Sequence, residues 1–302
     1  MALSVVAFTS QYGGFGLYWD DITSVIIDGD LVTTYAGDAV ISTFSIIWDN
    51  NVYKLHGIYT CTPSPNKTRT KYYNLDKLHR EDGPAELLII NDVVILEDWR
   101  IDGRHHREDA PAYIERYPDG QISHELWCLH GQWHREGEPA RRLWRADGQL
   151  WGEEWYINSK HHNEAGPSSI WWYSNEQIAH VVYCIDDKYV DGQSIIKWYT
   201  NGQMEYTMWF VNDKRHKIDG PAFQEWYPNG QLKREKWCFN DLEHREDGPA
   251  HIVWSEDGQK TGETFYLHGE KVEPFDIVQA LPEDEEDESE DESLELEAPS
   301  RW

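Results

Sequence analysis

The chain has 302 residues, with 27 Lys plus Arg against 55 Asp plus Glu, and a formal net charge of −28. That balance argues against electrostatic binding to nucleic acid, which needs a basic face, and against docking on an anionic membrane. The length is ample for a buried core, no apolar run approaches the ~18 residues of a membrane span, and Met1–Ser10 lacks the basic and apolar segments of a secretion signal.

With 16 Trp, 17 Tyr and 8 Phe, the chain is rich in residues that suit pleated, half-buried surfaces, so an all-β fold is expected. Residues 1–71 read as a β-rich N-terminal domain or a cap that shields the adjoining segment of the chain. Thr23–Ile27, Val40–Trp48 and Val52–Tyr59 have strand composition, and Asp28-Gly29-Asp30 and Asp49-Asn50-Asn51 are turn sequences. Gly13-Gly14-Phe15-Gly16 lacks the Lys-Ser/Thr of a phosphate loop and reads as a turn. Thr62–Thr70, with two prolines among polar residues, is expected to be the connection. Asn66-Lys67-Thr68 has the form of a glycosylation acceptor, which the cysteine usage argues against.

Residues 72–272 repeat. His79-Arg80-Glu81-Asp82-Gly83-Pro84-Ala85 returns from His106, His134, His162, His216 and His244, the last copy carrying Asp247, Gly248 and Pro249. A worn copy lies near Val190, so the starts step by 27, 28, 28, 28, 26 and 28 residues. Interleaved with it is a second phrase, Pro118-Asp119-Gly120-Gln121 and its counterparts up to Glu256-Asp257-Gly258-Gln259. Asp-Gly or Asn-Gly between β-rich runs signals a tight hairpin whose turn needs positive φ. Each unit therefore reads as a strand entered at Pro-Ala, a turn, a second strand ending in a Trp-rich segment, and a loop carrying the histidine phrase.

Aligned units show columns. Trp127, Trp155, Tyr183, Trp209, Trp237 and Phe265 share one place, with Leu129, Ile157, Ile185, Val211, Phe239 and Leu267 two residues on. A spacing of two puts both columns on one sheet face. Trp144, Trp172, Trp198, Trp226 and Trp254 share another place, four residues after a small residue such as Ala140 or Ala222, which suggests close packing between units. The aromatics read first as ladder packing and second as an exposed binding stripe. Two strands per unit advance the array by ~10 Å, giving an elongated sheet or solenoid about 60–70 Å long. Cys128, Cys184 and Cys238 occupy one column in alternate units, ~20 Å apart, which is beyond disulfide reach. They read as small fillers in an intracellular, reducing compartment rather than a secreted protein, and no Cys-x-x-Cys zinc pair occurs.

Residues 273–302 read as a disordered acidic tail, with 11 acids and one Arg from Pro282 to Trp302. It is a solvating segment or a contact for a basic protein. Ser289, which precedes three acids, is a candidate acceptor for acid-directed kinases.

A histidine near carboxylates can be an acid–base pair or a metal site. This group recurs six times at ~10 Å intervals, whereas a catalytic site is single, so it reads as loop architecture. A ring nitrogen would bond a turn carbonyl, and Asp or Glu would cap turn N–H groups. No enzyme activity, cofactor or metal is expected. Collective charging of these histidines near pH 6.5 would make the protein pH-sensitive.

The His-Arg-Glu-Asp-Gly-Pro-Ala phrase, alternating with Tyr-Pro-Asp/Asn-Gly-Gln and Glu-x-Trp, resembles the long MORN-type hairpin repeats found in giant amoebal DNA viruses and some bacteriophages. The resemblance implies a β-hairpin array acting as a scaffold for protein partners, often self-associating, in a virion, a virus factory or the host cytoplasm. A second reading is a membrane-associated adaptor of the standard MORN kind, using Arg141, Arg142, Arg145, Lys233, Arg234 and Lys236. A third places an enzyme site in the N-terminal region near His56 and Cys61.

Overall fold

The computed structural model describes residues 24–28, 31–36, 39–49, 52–64 and 66–274. Every element it describes is a β-strand, so the fold is all-β. A run of 18 antiparallel pairings links nineteen strands into one sheet, from Ser24–Asp28 to Lys260–Leu267. The sheet is a meander. Each long strand pairs with the long strands before and after it, as expected of tandem hairpins.

The N-terminal strands Ser24–Asp28, Leu31–Ala36, Ala39–Asp49 and Val52–Ser64 belong to this same sheet. Val52–Ser64 pairs with Lys67–Asn74, which in turn pairs with Glu86–Ile90 of the first repeat. The connection expected at Thr62–Thr70 is therefore a hairpin. The alternating Lys/Thr/Tyr residues of Lys67–Asn74 have strong strand propensity. The proline-bearing end of the partner is accommodated by a register shift between Cys61 and Ser64, the kind of bulge at which a sheet tolerates proline. The Gly13–Gly16 turn lies outside the described residues. So do most of the acidic tail and Ser289.

The unit around residues 140–167 shows how a repeat is built. Strand Arg141–Trp144 turns through Arg145–Gln149 into strand Leu150–Glu154. Gly148 N–H donates to the Arg145 carbonyl at 2.9 Å and Arg145 N–H to the Gln149 carbonyl at 2.8 Å. Asp147 Oδ1 accepts from Gln149 N–H at 3.0 Å. Only Gly148, at φ 83°, is left-handed. The turn is thus a type I turn closed by a left-handed glycine, not the turn with two positive φ values that Asp-Gly suggests. Register shifts at Leu143/Trp144 and its equivalents leave one residue of the returning strand over, which twists each hairpin.

A second hairpin comes next, not anticipated from the sequence. The returning strand pauses at Trp155, then Tyr156–Ile157 and Lys160–His161 pair across Asn158 and Ser159. Both turn residues have positive φ, 51° and 63°, the type I′ pattern. Seven further small hairpins recur along the chain, turning at residues 75–76, 102–103, 130–131, 186–187, 212–213, 240–241 and 268–269. The Trp column and the column two residues on are consequently separated. Trp127 stands at the pause, and Leu129 is on the small hairpin, opposite Gln132.

The small hairpins form a second row beside the main sheet. Six of the seven steps between them carry one backbone bond, such as Gly131 N–H to His105 O and Ser159 N–H to Trp133 O, both 2.8 Å. Where the second turn residue is not glycine, its side chain accepts from the hairpin before it: Ser159 from Trp133 N–H, Asp187 from His161 N–H, Asp213 from Tyr189 N–H, and Asp241 from Arg215 N–H.

The core lies where the two rows meet. Ala85, Ala112, Ala140, Ser168, Ser194, Ala222 and Ala250 are all 0% exposed. Beside them Tyr73, Cys128, Tyr156, Cys184, Phe210 and Cys238 are buried. Large and small residues alternate from Cys128 to Cys238, and two of the small ones are matched across the hairpin by an aromatic ring. Trp133 stands opposite Cys128 and packs edge-on against Tyr156 at 4.9 Å, and Tyr189 stands opposite Cys184 and stacks on Phe210 at 4.1 Å. Cys128, Cys184 and Cys238 carry free thiols.

Glu176 occupies the turn place of the glycines at φ 65°. A left-handed non-glycine residue costs about 1–2 kcal/mol. Glu176→Gly is expected to raise stability by ~1 kcal/mol in urea unfolding; a lower midpoint would contradict the turn assignment.

Candidate interaction surface

The six motif histidines occupy equivalent places, and each bonds forward to the next unit. Nδ1 accepts from the backbone N–H of the first residue of the next small turn: His79 from Asp102 and His106 from His130 at 3.1 Å, His134 from Asn158 at 3.4 Å, and His244 from His268 at 3.1 Å. For His162 and His216 the ring nitrogen faces the side-chain oxygen of that turn residue, Asp186 at 3.0 Å and Asn240 at 3.4 Å. In the first four copies named, the ring therefore receives a turn N–H instead of donating to a turn carbonyl. The reason is geometric: with two positive φ values, the outer N–H of the type I′ turn points back along the row.

The arginine of the motif lies flat on the Trp column. Guanidinium carbons sit over ring centroids at 4.1 Å for Arg80 on Tyr72, 3.9 Å for Arg107 on Trp99, 3.8 Å for Arg135 on Trp127 and 3.9 Å for Arg245 on Trp237. Lys217 takes the place over Trp209, its Nζ at 4.3 Å. In the weaker copies Asn163 and Asp191 stand there, and Trp155 and Tyr183 lack the stack. Asp82 holds Arg80 at 2.8 Å and Asp247 holds Arg245 at 2.6 Å, so these acids pair with their own arginines and do not cap turns. A Cβ on Gly83 would lie 2.6 Å from the Arg80 guanidinium, and one on Gly248 3.2 Å from that of Arg245. Pro249 O accepts from Arg245, as Pro111 O and Pro139 O do from theirs. Pro84 closes the same turn ahead of Ala85.

Trp127, Trp155, Trp209 and Trp237, like Trp144, Trp172, Trp198, Trp226 and Trp254, are all half-buried. Nε1 of Trp99, Trp127 and Trp237 is buried without an acceptor, so these rings pack and do not present their polar edge to a ligand. The second Trp column supplies backbone carbonyls. Trp144, Trp198, Trp226 and Trp254 accept from the hydroxyls of Tyr117, Tyr173, Tyr199 and Tyr227 of the unit before, at 2.7–3.0 Å. Trp172 accepts from Arg145 at 2.9 Å. The His, Arg, Asp, Gly and Pro of the motif are thus engaged at a unit boundary or within their own turn. Among the described residues no group of three or more His, Cys, Asp or Glu could hold a metal ion.

The cations expected to form a membrane patch are engaged. Arg141 pairs with Glu154, Arg142 with Glu125 and Glu153, Lys233 and Arg234 with Glu225, and Lys236 with Glu243. His56 is exposed.

What faces outward is the far side of the small hairpins and the crest of the motif loops. The loop acids Glu81, Asp82, Glu164, Glu246 and Asp247 form an exposed acidic ridge. Beside it runs the partly exposed apolar column Ile101, Leu129, Ile157, Ile185, Val211, Phe239 and Leu267. Between the last two motif loops, His216–Ile218 and His244–Asp247 flank a cleft floored by Trp237 and Phe239. Ile218 is 80% exposed and stands where other copies have Glu.

No family model matches this chain, and a search of curated proteins returns no match.

Boundary bonding and acid sensitivity can both be measured. Tyr227→Phe removes a boundary hydrogen bond and is expected to lower unfolding stability by about 0.5–1.5 kcal/mol with the spectrum of the fold retained. In acid, the buried imidazoles dominate. Burial and the neighbouring Arg141 guanidinium push the His124 imidazole down to about 4. Burial also lowers His180 and His251. A folded imidazole that resists protonation loses stability as the unfolded chain takes up protons, here from about pH 6.5 towards 4. His161 is raised by Glu154, so its contribution is present below pH 6.5 and disappears as pH rises through its folded value. The unfolding midpoint should therefore fall between pH 6.5 and 4, less steeply in His124→Gln; an identical slope would contradict the assignment.

Proposed function

We propose that the protein is a non-enzymatic, MORN-type repeat scaffold that binds protein partners along the outer face of its small hairpins. One observation carries this reading. The histidines and arginines of the motif meet equivalent partners in most copies, at unit boundaries or within their own turns, which accounts for their recurrence without a reaction. The remaining outward face is regular, with an apolar residue at each step and one or two acids on the motif loop beside it. A surface of that kind suits repetitive or elongated partners. The acidic segment beyond residue 274 offers a basic protein a further contact. A reducing compartment, in a virion, a virus factory or the host cytoplasm, accords with the repeat signature and with three buried free thiols.

The test is capture with crosslinking from the native source. Ile185→Glu and Phe239→Glu alter exposed positions and should leave the fold intact. Loss of the captured protein in both variants supports the reading. Undiminished capture, or flotation of the protein with anionic liposomes, contradicts it.

A further inference from the structure

The outer rim of the small hairpins carries a second pattern. The first residue of the returning strand is Lys77, Arg104, Gln132, Lys160, Lys188, Lys214, Leu242 and Glu270 in successive units, and all are exposed. Five of these are cations, one per step with a single gap. Among the described residues none of the five side chains has an ion pair or hydrogen bond, whereas cations of the main sheet such as Arg141, Arg142, Lys233 and Lys236 are matched to carboxylates. Four stand directly opposite an outward apolar residue: Arg104 opposite Ile101, Lys160 opposite Ile157, Lys188 opposite Ile185, and Lys214 opposite Val211. In a chain of net charge −28, an unmatched row of cations is the exception that calls for an anion.

The chain supplies one. The last small hairpin ends at Val272, at the C-terminal end of this same row. Twenty-eight residues follow Pro274. The first eight, Phe275 to Pro282, include Phe275, Ile277, Val278 and Leu281, and the next ten, Glu283 to Glu292, contain nine acids. Counting back along the row, the two terminal hairpins carry no cation at this place. One of them instead exposes Phe239 and Leu242, 44% and 48% exposed. Two units span ~20 Å at about 10 Å per unit, and eight extended residues reach ~26 Å. Ten more reach ~33 Å, about three units, the span that holds Lys214, Lys188 and Lys160. The apolar and acidic stretches of the segment thus follow the order and spacing of the apolar and basic stretches of the row.

We infer that the C-terminal segment docks in cis along the small-hairpin row. Residues 275–281 cross Phe239 and Leu242, and the acids of 283–292 lie against Lys214, Lys188 and Lys160. The contact would be chiefly electrostatic and weakened by salt. It would cover part of the outer face until a partner displaced it. The inference does not depend on the scaffold reading, since it concerns only this chain.

Carbodiimide crosslinking of the dilute full-length protein, as a mixture of light and isotopically heavy copies, tests it. At low salt, links from 283–292 to Lys160, Lys188 or Lys214 are expected within single copies, falling several-fold in about 0.5 M salt. In the variant Lys160→Glu/Lys188→Glu/Lys214→Glu, cleavage of the segment by a Glu-specific protease should accelerate several-fold. Because all three positions are exposed, circular dichroism of that variant should match the parent. Links spread evenly to other exposed lysines such as Lys271, links only between copies, or an unchanged cleavage rate would overturn the inference.

Discussion

The structure depends on a fully enclosed small residue at the crossing between the main sheet and the row of small hairpins. Seven such positions from Ala85 to Ala250 have no exposed surface. At each, the carbonyl accepts the backbone N–H of the aromatic column of the unit before, as Ala140 does from Trp127 and Ala250 from Trp237, both 2.7 Å. The backbone of one unit thereby meets that of the next with room for a methyl or hydroxymethyl group and nothing larger. That close approach brings the type I′ turns within reach of the histidines. It also brings the tyrosine hydroxyls within reach of the next Trp carbonyl.

From this constraint follows the character of the motif. A phrase of His, Arg, Glu and Asp looks like chemistry because these side chains donate, accept and carry charge. Here those capacities are used on the neighbouring copy and on the motif's own turn. The histidine bonds the next small turn, the arginine covers an aromatic face, the aspartate orients the arginine, and the glycine leaves room for it. Such contacts are repeated and local, so stability is a sum over neighbours and the array can lengthen or shorten by whole units. The 26-residue step shows the tolerance of this arrangement. There the loop is replaced by a longer strand, Gly192–Trp198, which pairs directly with Phe210 and Trp209, and Ser194 still fills the enclosed place.

Much of this was legible in the residues. The repeat period, the Asp/Asn-Gly hairpins and the small-residue column gave the all-β array and its unit boundaries. The small hairpins were not read, although Asp102-Gly103, His130-Gly131 and His268-Gly269 are turn dipeptides. Two-residue strands carry too little periodicity to stand out, and half of the small turns use Asn-Ser, Asp-Asp or Asn-Asp in place of glycine. The direction of the histidine bond was also hidden, because it depends on the φ values of a turn 24 residues away. Thr62–Thr70 misled through its prolines, whose effect depends on whether a bulge receives them. The row of unmatched cations was invisible for the same reason as the small hairpins, since only the register of those hairpins aligns Lys77, Arg104, Lys160, Lys188 and Lys214.

The central claim, that adjacent units meet at a place sized for one small side chain, is tested most directly at Ala222 by urea unfolding of two variants. Ala222→Ser should retain near-native stability, as Ser168 and Ser194 already fill equivalent places. Ala222→Leu should lose about 1–3 kcal/mol or more through overpacking. A leucine accommodated there with an unchanged midpoint would contradict the account.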